Sequence, residues 1–355
     1  MASVLNSFAE FYSTLTSDDL TKDGPYILKN HDEFKIIWID QGHLREEALT
    51  ESNFNPIKKR FNFLFNYSDL IEVYSLKSDF NQDHKSADSI AVISDIHGEF
   101  DSYLHLLKSA GVIDRSLSWS FGNGHLVVLG DIFDRGDKVT EALWHLFGLE
   151  QQAEKAGGKV HLLLGNHEFM MFRGNTSEIN KKYRETEKIT SSSYSDLFSD
   201  DFVLGRWLRS KPVMISVGDI LFVHGGVSPE MLKKNLSIKQ VNRIFSTKIL
   251  GIKLESINQD EECRFLNNAS GPLWYRGYFE EDNFCECKTD SVLNYYGMKH
   301  IVVGHTPNQE IRTYHDCKIT GVDSGLMYKQ PGEILLIKND IFYRIPGSGK
   351  RVRLN

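Results

Sequence analysis

The sequence predicts an α/β protein built on two stacked sheets. Three observations carry this. Short apolar runs that empty into polar loops recur, with helical patterns between them. After Lys211-Pro212 the runs become hairpins, with turns at Gly218-Asp219 and Asn339-Asp340. Asp, Asn and His stand directly after apolar runs, where parallel sheets carry their sites.

The elements follow in order. Residues 1–88 read as an N-terminal extension on or near a core, and residues 89–355 as the main domain. The extension holds a helix near Val4 to Leu15 and a strand from Phe34 to Ile39. Phe61, Phe63, Phe65 and Tyr67 alternate with other residues, which is the strand period. The polar stretch Ser78 to Ser89 reads as a loop.

A repeated grammar comes next. Ile90 to Ile93 leads into Ser94-Asp95-Ile96-His97-Gly98, and a helical pattern through Tyr103, Leu104, Leu106 and Leu107 follows. Leu126 to Leu129 leads into Gly130-Asp131, then a helix from Val139 to Ala153. Val160 to Leu164 leads into Gly165-Asn166-His167-Glu168. Each interval fits one strand-plus-helix crossover between parallel strands. Thr176 to Arg209 is polar and helical in character. Val213 to Val217 and Ile220 to Val223 form a hairpin, and further strands cover Ile301 to Val303 and Lys318 to Val322. Glu333 to Ile345 forms a last hairpin. The second half is therefore mostly antiparallel, and each half is expected to supply one sheet.

Bulk properties narrow the function. The 355 residues carry 41 basic and 48 acidic side chains, a net charge of −7. A chain without basic excess is a poor candidate for nonspecific binding to nucleic acid or a membrane surface. Residues 1–20 hold no Lys or Arg and no long apolar run, so no signal peptide is expected. Four cysteines do not make a disulfide framework in a chain of this length. The expectation is a cytoplasmic protein.

The chemistry sits at the strand ends. Asp95 and His97, Asp131, Asn166 and His167, His224 in Val223-His224-Gly225-Gly226, and His305 in Gly304-His305-Thr306 each follow an apolar run. Carboxylate and amide oxygens combined with imidazole nitrogens suit Mn, Fe, Zn or Co better than calcium or Cu(I). Six ligands exceed one tetrahedral site and fit two cations that share a carboxylate. Single residues of this kind are usually caps or surface groups. Five glycine-flanked clusters in one chain are not readily explained that way.

Together, Asp95-Ile96-His97-Gly98, Gly130-Asp131-Ile132-Phe133-Asp134-Arg135-Gly136, Gly165-Asn166-His167-Glu168, His224-Gly225-Gly226 and Gly304-His305-Thr306 resemble the ordered motifs of the calcineurin-like metallophosphoesterases. The second and third resemble the phosphoprotein phosphatase branch. Gly205 to Pro212 and Gly271 to Gly277 are similar to the Shewanella-like protein phosphatases within it. The resemblance spans roughly residues 88 to 345. It implies an αββα sandwich, with residues 89–355 as the catalytic domain.

The resemblance also implies roles. Asp95, His97 and Asp131 hold one divalent cation. Asp131, Asn166, His224 and His305 hold a second, with Asp131 bridging. Manganese is the first expectation for this binuclear centre, with iron, zinc or cobalt as alternatives. Arg135 binds the substrate phosphate. His167 protonates the leaving oxygen and Asp134 orients it. Arg276 is the first choice for a second phosphate-binding arginine, and Arg206 the alternative.

There are departures. Ser94 stands where the first motif often has glycine. Pro307 stands where many metallophosphoesterases carry a further metal-binding histidine, which favours the phosphoprotein branch. Cys285 and Cys287, with Cys263 and Cys317, lack zinc-ribbon spacing, so buried or free thiols are expected rather than a zinc site. Asp323, after a strand, belongs either beside the ligands or in an ordinary turn. The implied function is a metal-dependent phosphomonoesterase acting on phosphorylated protein or peptide, phosphotyrosine before phosphoserine or phosphothreonine. The alternatives are a nucleotide or dinucleotide polyphosphate hydrolase of the same superfamily and a metal-stabilised phosphoprotein-binding scaffold without turnover.

Overall fold

A computed structural model of the protein describes residues 21–31, 33–282 and 284–354. The helix expected near Val4 to Leu15 lies outside the described residues. Two six-stranded sheets form the centre. The first runs β15-β14-β13-β5-β6-β7, where β5 is Ser89–Ile93, β6 His125–Val128, β7 Lys159–Leu162, β13 Glu333–Lys338, β14 Ile341–Pro346 and β15 Val352–Arg353. The second runs β11-β12-β10-β9-β8-β4, where β4 is Asp83–His84, β8 Met214–Val217, β9 Ile220–Val223, β10 His300–Val303, β11 Arg312–Tyr314 and β12 Ile319–Gly321.

The strands β5, β6 and β7 are parallel, as their apolar runs and intervening helices predict. Alternation along them separates two faces. Ile90, Val92 and Val127 join Ile215, Phe222 and Val302 of the other sheet in one buried cluster. Ala91, Ile93, Leu126 and Val128 face the other way and join helix residues such as Leu106, Leu107, Leu143 and Leu146. A sheet covered on both faces must be apolar on both, which explains the continuous runs. The result is a helix–sheet–sheet–helix sandwich.

The division into halves does not hold. β13, near the C-terminal end, pairs antiparallel with β5, so the closing hairpin extends the first sheet. β4 leaves the expected Ser78–Ser89 loop and pairs parallel with β8. The second sheet is mixed rather than mostly antiparallel: β10 is parallel to both β9 and β12, while β8–β9 and β11–β12 are antiparallel. A crossover through long helical segments brings β10 in parallel to β9, and neither strand's own sequence encodes that choice.

Strands β1 (Asp23–Asn30), β2 (Glu33–Asp40) and β3 (His43–Leu49) form a separate antiparallel sheet. Asp23 ties it to its neighbours. Its buried carboxylate accepts from Tyr26 Oη at 2.6 Å and Thr186 Oγ1 at 2.7 Å, and lies 3.2 Å from Lys182 Nζ. Trp144 Nε1 donates to Pro25 O at 2.8 Å. The alternating aromatics Phe61 to Tyr67 are not a strand. They lie where one helix (Phe54–Phe61) ends at left-handed Asn62 and the next (Tyr67–Val73) begins. Phe63 and Phe65 stack 4.6 Å apart, and both pack on Trp144, 5.1 and 5.2 Å away. A short linker that buries alternate rings, Phe63 and Phe65, against a helix has the same period as a strand without needing a ladder.

At one edge the two sheets meet through histidines. The ring of His161 of β7 packs at a tilt against His84 of β4, centroids 4.6 Å apart, and against His125 of β6, 5.0 Å apart.

Candidate active site

The loops after β5, β6, β7, β9 and β10 converge at one end of the sandwich. Glycines set how closely they approach. A Cβ on Gly130 would strike the backbone of Gly165, and one on Gly136 would strike the carbonyl of His97. The loop Gly130–Gly136 is therefore wedged between its two neighbours, which is a stronger reason for glycine than a tight turn alone.

The candidate side chains carry unusual backbone. Asp95 (φ 52°), His97 (45°), Asp131 (54°), Asp134 (72°), Arg135 (68°) and His305 (64°) are all left-handed. Such torsions are uncommon outside glycine and concentrate at functional sites.

Hydrogen bonds aim each imidazole. His97 Nδ1 donates to Phe133 O at 2.7 Å, and His224 Nδ1 to Leu129 O at 2.6 Å, which leaves both Nε2 atoms facing inward. His224 Nε2 lies 3.2 Å from Asp131 Oδ2 and 2.9 Å from Asn166 Oδ1. His97 Nε2 lies 3.8 Å from Asp131 Oδ2 and 4.0 Å from Asp95 Oδ1. Asp95 Oδ2 accepts from Ser94 Oγ and from the His305 N–H. The Ser94 hydroxyl, where the motif often has glycine, thus holds a ligand candidate.

Donor atoms of His97, Asp131 and His167 lie within 4.8 Å of one another, as do those of Asp131, His224 and His305. Asp131 belongs to both groups. The donor set fits two cations of the borderline divalent class. Buried His305 Nε2 has no hydrogen-bond partner among the described residues, as expected of an atom kept for a metal. The electrostatics agree. Burial opposes charge on His224, yet Asp131 and then Asp95 carry its imidazole up to about 9. Burial drives His97 down to about 4, against the pull of Asp131. Burial and the neighbouring His224 hold His305 at about 2. Buried carboxylates that force a proton onto one histidine demand positive charge, and a cation supplies it better than a proton.

A cavity of about 270 Å³ opens over these atoms. Asp95, His97, Asp131, Asn166, His167 and His305 line it, together with Arg135 and Arg276. His224 lies beneath, fully buried. Met170, Trp274 and Met327 add apolar wall. Glu178 reaches it from the polar helical region, and its carbonyl accepts from the Arg135 N–H at 3.0 Å. His167 Nδ1 meets Asp134 Oδ2 at 2.5 Å. Burial lowers His167, but Asp131 and Asp134 reverse this and raise it. Arg206 is not among the lining residues. It sits on the helix Val203–Arg209, 3.4 Å from Asp200.

Sequence reasoning missed Glu168. Its fully buried carboxylate accepts N–H groups from Gly165 at 2.7 Å, Asp131 at 2.9 Å and Ile132 at 2.8 Å. It closes the cap of its own helix (Asn166–Phe172) and holds the neighbouring loop in the same grip. The signal was available: a Glu three residues after an N-cap is a capping pattern. Asp323 is also buried, and its Oδ1 accepts from the Gly325 N–H at 2.9 Å. The cysteines form no cluster with metal-ligand geometry among the described residues. Cys285 and Cys287 are joined to each other rather than free, while Cys263 and Cys317 are buried thiols.

A model of the calcineurin-like phosphoesterase family matches residues 89–309. The chain belongs to this family. The new phosphoesterase superposes on the crystal structure of a cold-active protein-tyrosine phosphatase of a psychrophilic Shewanella species, with a TM-score of 0.85. The two share 31% identity over 94% of this chain and 99% of the other. Shewanella-like protein phosphatase 2 of Arabidopsis thaliana is 27% identical over 61% of this phosphoesterase and 66% of its own length. Shewanella-like protein phosphatase 1 of Plasmodium berghei is 29% identical over 68% and 69%. The phosphoesterase spans about two thirds of both relatives. It is a hydrolase of a metal-dependent family, related to the Shewanella-like phosphatases. No helix among its described residues is long and apolar enough to cross a membrane.

Proposed function

We propose that this phosphoesterase hydrolyses phosphate monoesters of proteins or peptides, with phosphotyrosine favoured over phosphoserine and phosphothreonine. One observation carries the reading: a single cavity gathers five of the six ligand candidates, two arginines and a carboxylate-held histidine. Residues 89–355 are assigned the catalysis.

Asp95, His97 and Asp131 are assigned one cation, and Asp131, Asn166, His224 and His305 the other, with manganese first and iron, zinc or cobalt as alternatives. When bound, such a pair supplies a water nucleophile near neutral pH and compensates phosphoryl charge. The remaining steps belong to the chain. Arg135 offers a planar fork to the phosphate oxygens, and Arg276 faces the same cavity as its partner. Asp134 holds His167 Nδ1, so Nε2 presents the proton that the departing oxygen takes. Met170, Trp274 and Met327 give an aryl ring apolar contact. The tyrosine phosphatase named for the Shewanella structure supports the phosphotyrosine preference.

The test is a phosphopeptide panel assayed after chelation and after readdition of each metal. Recovery with manganese, greatest on phosphotyrosine, is expected. Faster turnover of dinucleotide polyphosphates than of any phosphopeptide would overturn the reading.

A further inference from the structure

Cys285 and Cys287 are joined across one intervening residue, and both are exposed. A disulfide stabilises a fold chiefly by constraining the unfolded chain, and more so the longer the loop it closes. This one spans two positions and has little to constrain. Exposure leaves both sulfurs open to an attacking thiolate. Cys263 and Cys317, by contrast, are buried thiols.

The bond sits at the start of a helix. Cys285 is the N-cap of Glu286–Tyr296 and offers it no side-chain hydrogen bond. Its carbonyl accepts from the Lys288 N–H at 3.0 Å. The disulfide holds the two Cα atoms 5.2 Å apart and so fixes that first turn.

Two lines of contact run from this turn to the active-site cavity. Lys288 Nζ lies 2.9 Å from Glu281 Oε2, and Glu281 Oε1 accepts from Tyr275 Oη at 3.1 Å. Tyr275 stands between Trp274 and Arg276, which both line the cavity. On the other line, Phe284 packs edge-on against Tyr278, centroids 5.2 Å apart. Tyr278 Oη accepts from the Val227 N–H and donates to Val227 O, both at 2.9 Å. A Cβ on Gly226, two residues after His224, would strike the Tyr278 ring. Arg276 itself is the N-cap of the short helix Gly277–Glu280, which carries Tyr278.

We propose that Cys285 and Cys287 are a reversible dithiol–disulfide pair that sets the phosphate affinity of the active site through Arg276, which rests on the phosphate-binding role assigned to that residue. The thiolate of a dithiol reductant attacks one sulfur, and the other leaves as a thiolate. The reductant's second thiol then releases the first cysteine and closes a disulfide of its own. Two electrons and two protons pass to the pair. The helix N-terminus favours the Cys287 thiolate, which eases its departure. Once reduced, the first turn has neither side-chain cap nor staple. Lys288 and Phe284 then no longer hold Tyr275 and Tyr278, and Arg276 loses its fixed position. The disulfide form binds phosphate tightly and the dithiol form weakly.

Calorimetry with inorganic phosphate on the manganese-loaded full chain tests this, before and after dithiothreitol. Mass spectrometry of alkylated Cys285 and Cys287 reports the state of the pair. Affinity should fall about fivefold or more on reduction. Cys285→Ser/Cys287→Ser should bind as weakly as the reduced protein, and dithiothreitol should leave that variant unchanged. Arg276→Ala should bind phosphate equally in both states. By linkage, saturating phosphate should raise the ratio of reduced to oxidised dithiothreitol needed for half reduction by the same factor. Equal affinity in the two states of the wild type overturns the proposal and leaves the phosphoesterase reading intact. So does a pair that stays oxidised in excess dithiothreitol, or redox sensitivity that survives Arg276→Ala. A dithiothreitol effect that persists in Cys285→Ser/Cys287→Ser also overturns it, because the metal centre would then be the target. Phosphate that binds neither state overturns the role of Arg276 and the proposal with it.

Discussion

His167 Nδ1 and Asp134 Oδ2 meet at 2.5 Å inside the protein. The contact fixes which face of the imidazole looks into the cavity. A proton delivered from Nε2 matters most where the leaving group is a poor one. His167→Asn should lower kcat/KM on phosphoserine peptides by about 10²–10⁴-fold. The loss on phosphotyrosine peptides should be smaller, because phenolate leaves more easily. Equal losses on both would reject the acid role.

Asp131 belongs to both groups of donor atoms. Asp131→Asn removes the charge while keeping the shape. Metal content measured by mass spectrometry should fall below that of the wild type, together with turnover. Undiminished hydrolysis with a full metal complement would dismiss Asp131 as a bridge.

Arg276 faces the active-site cavity and Arg206 does not. A lost charge-assisted contact is worth about 1.5–3 kcal/mol. Arg276→Ala should therefore weaken inhibition by inorganic phosphate about tenfold or more. Arg206→Ala should change it by less than about twofold. The reverse pattern would exchange their roles.

Glu168 accepts N–H groups from two loops. Each buried donor left without a partner costs about 1–3 kcal/mol. Glu168→Ala should lower unfolding stability by about 3 kcal/mol or more in a urea titration, and Glu168→Gln by less. An unchanged midpoint would show that water replaces the carboxylate at no cost.

The packed histidines should make the sheet edge acid-sensitive. Burial, then Lys159, lowers His84 from 6.5 to about 4. Burial lowers His125 and His161 as well, His161 well below the usual range. The unfolded chain therefore takes up protons that the folded chain refuses. Stability is full above about pH 6.5 and falls as the pH drops toward 4. His161→Phe keeps a ring in place and should flatten this part of the stability–pH curve. An unaltered curve would assign the acid sensitivity to other groups.

Much of this was legible in the sequence. Ile90 to Ile93, Leu126 to Leu129 and Val160 to Leu164 announced parallel strands, because only strands covered on both faces read as unbroken apolar runs. The donors after them were legible for the same reason: a buried strand does not end in Asp, Asn or His without compensation. Pairings between distant segments were not legible. Nothing in Glu333 to Lys338 says that it lies beside Ser89 to Ile93 rather than in the other sheet. Phe61 to Tyr67 misled because burial against Trp144 and pairing in a ladder share one period. The choice between Arg276 and Arg206 needed three dimensions, since both are arginines among aromatic neighbours.

The left-handed backbone of the loops that line the candidate site has a wider consequence. At Asp95, His97, Asp131, Asp134, Arg135 and His305 glycine would be the more comfortable residue, by up to about 1–2 kcal/mol each. The molecule holds these loops in a posture they would not adopt alone, and the force comes from the sandwich behind them. Damage to that sandwich should be felt first where the tension is held. A mild core truncation such as Val127→Ala, far from any substrate, should loosen the loops while the fold survives. Variants of this kind would look like catalytic mutants in an assay and like nearly healthy proteins in a melting curve.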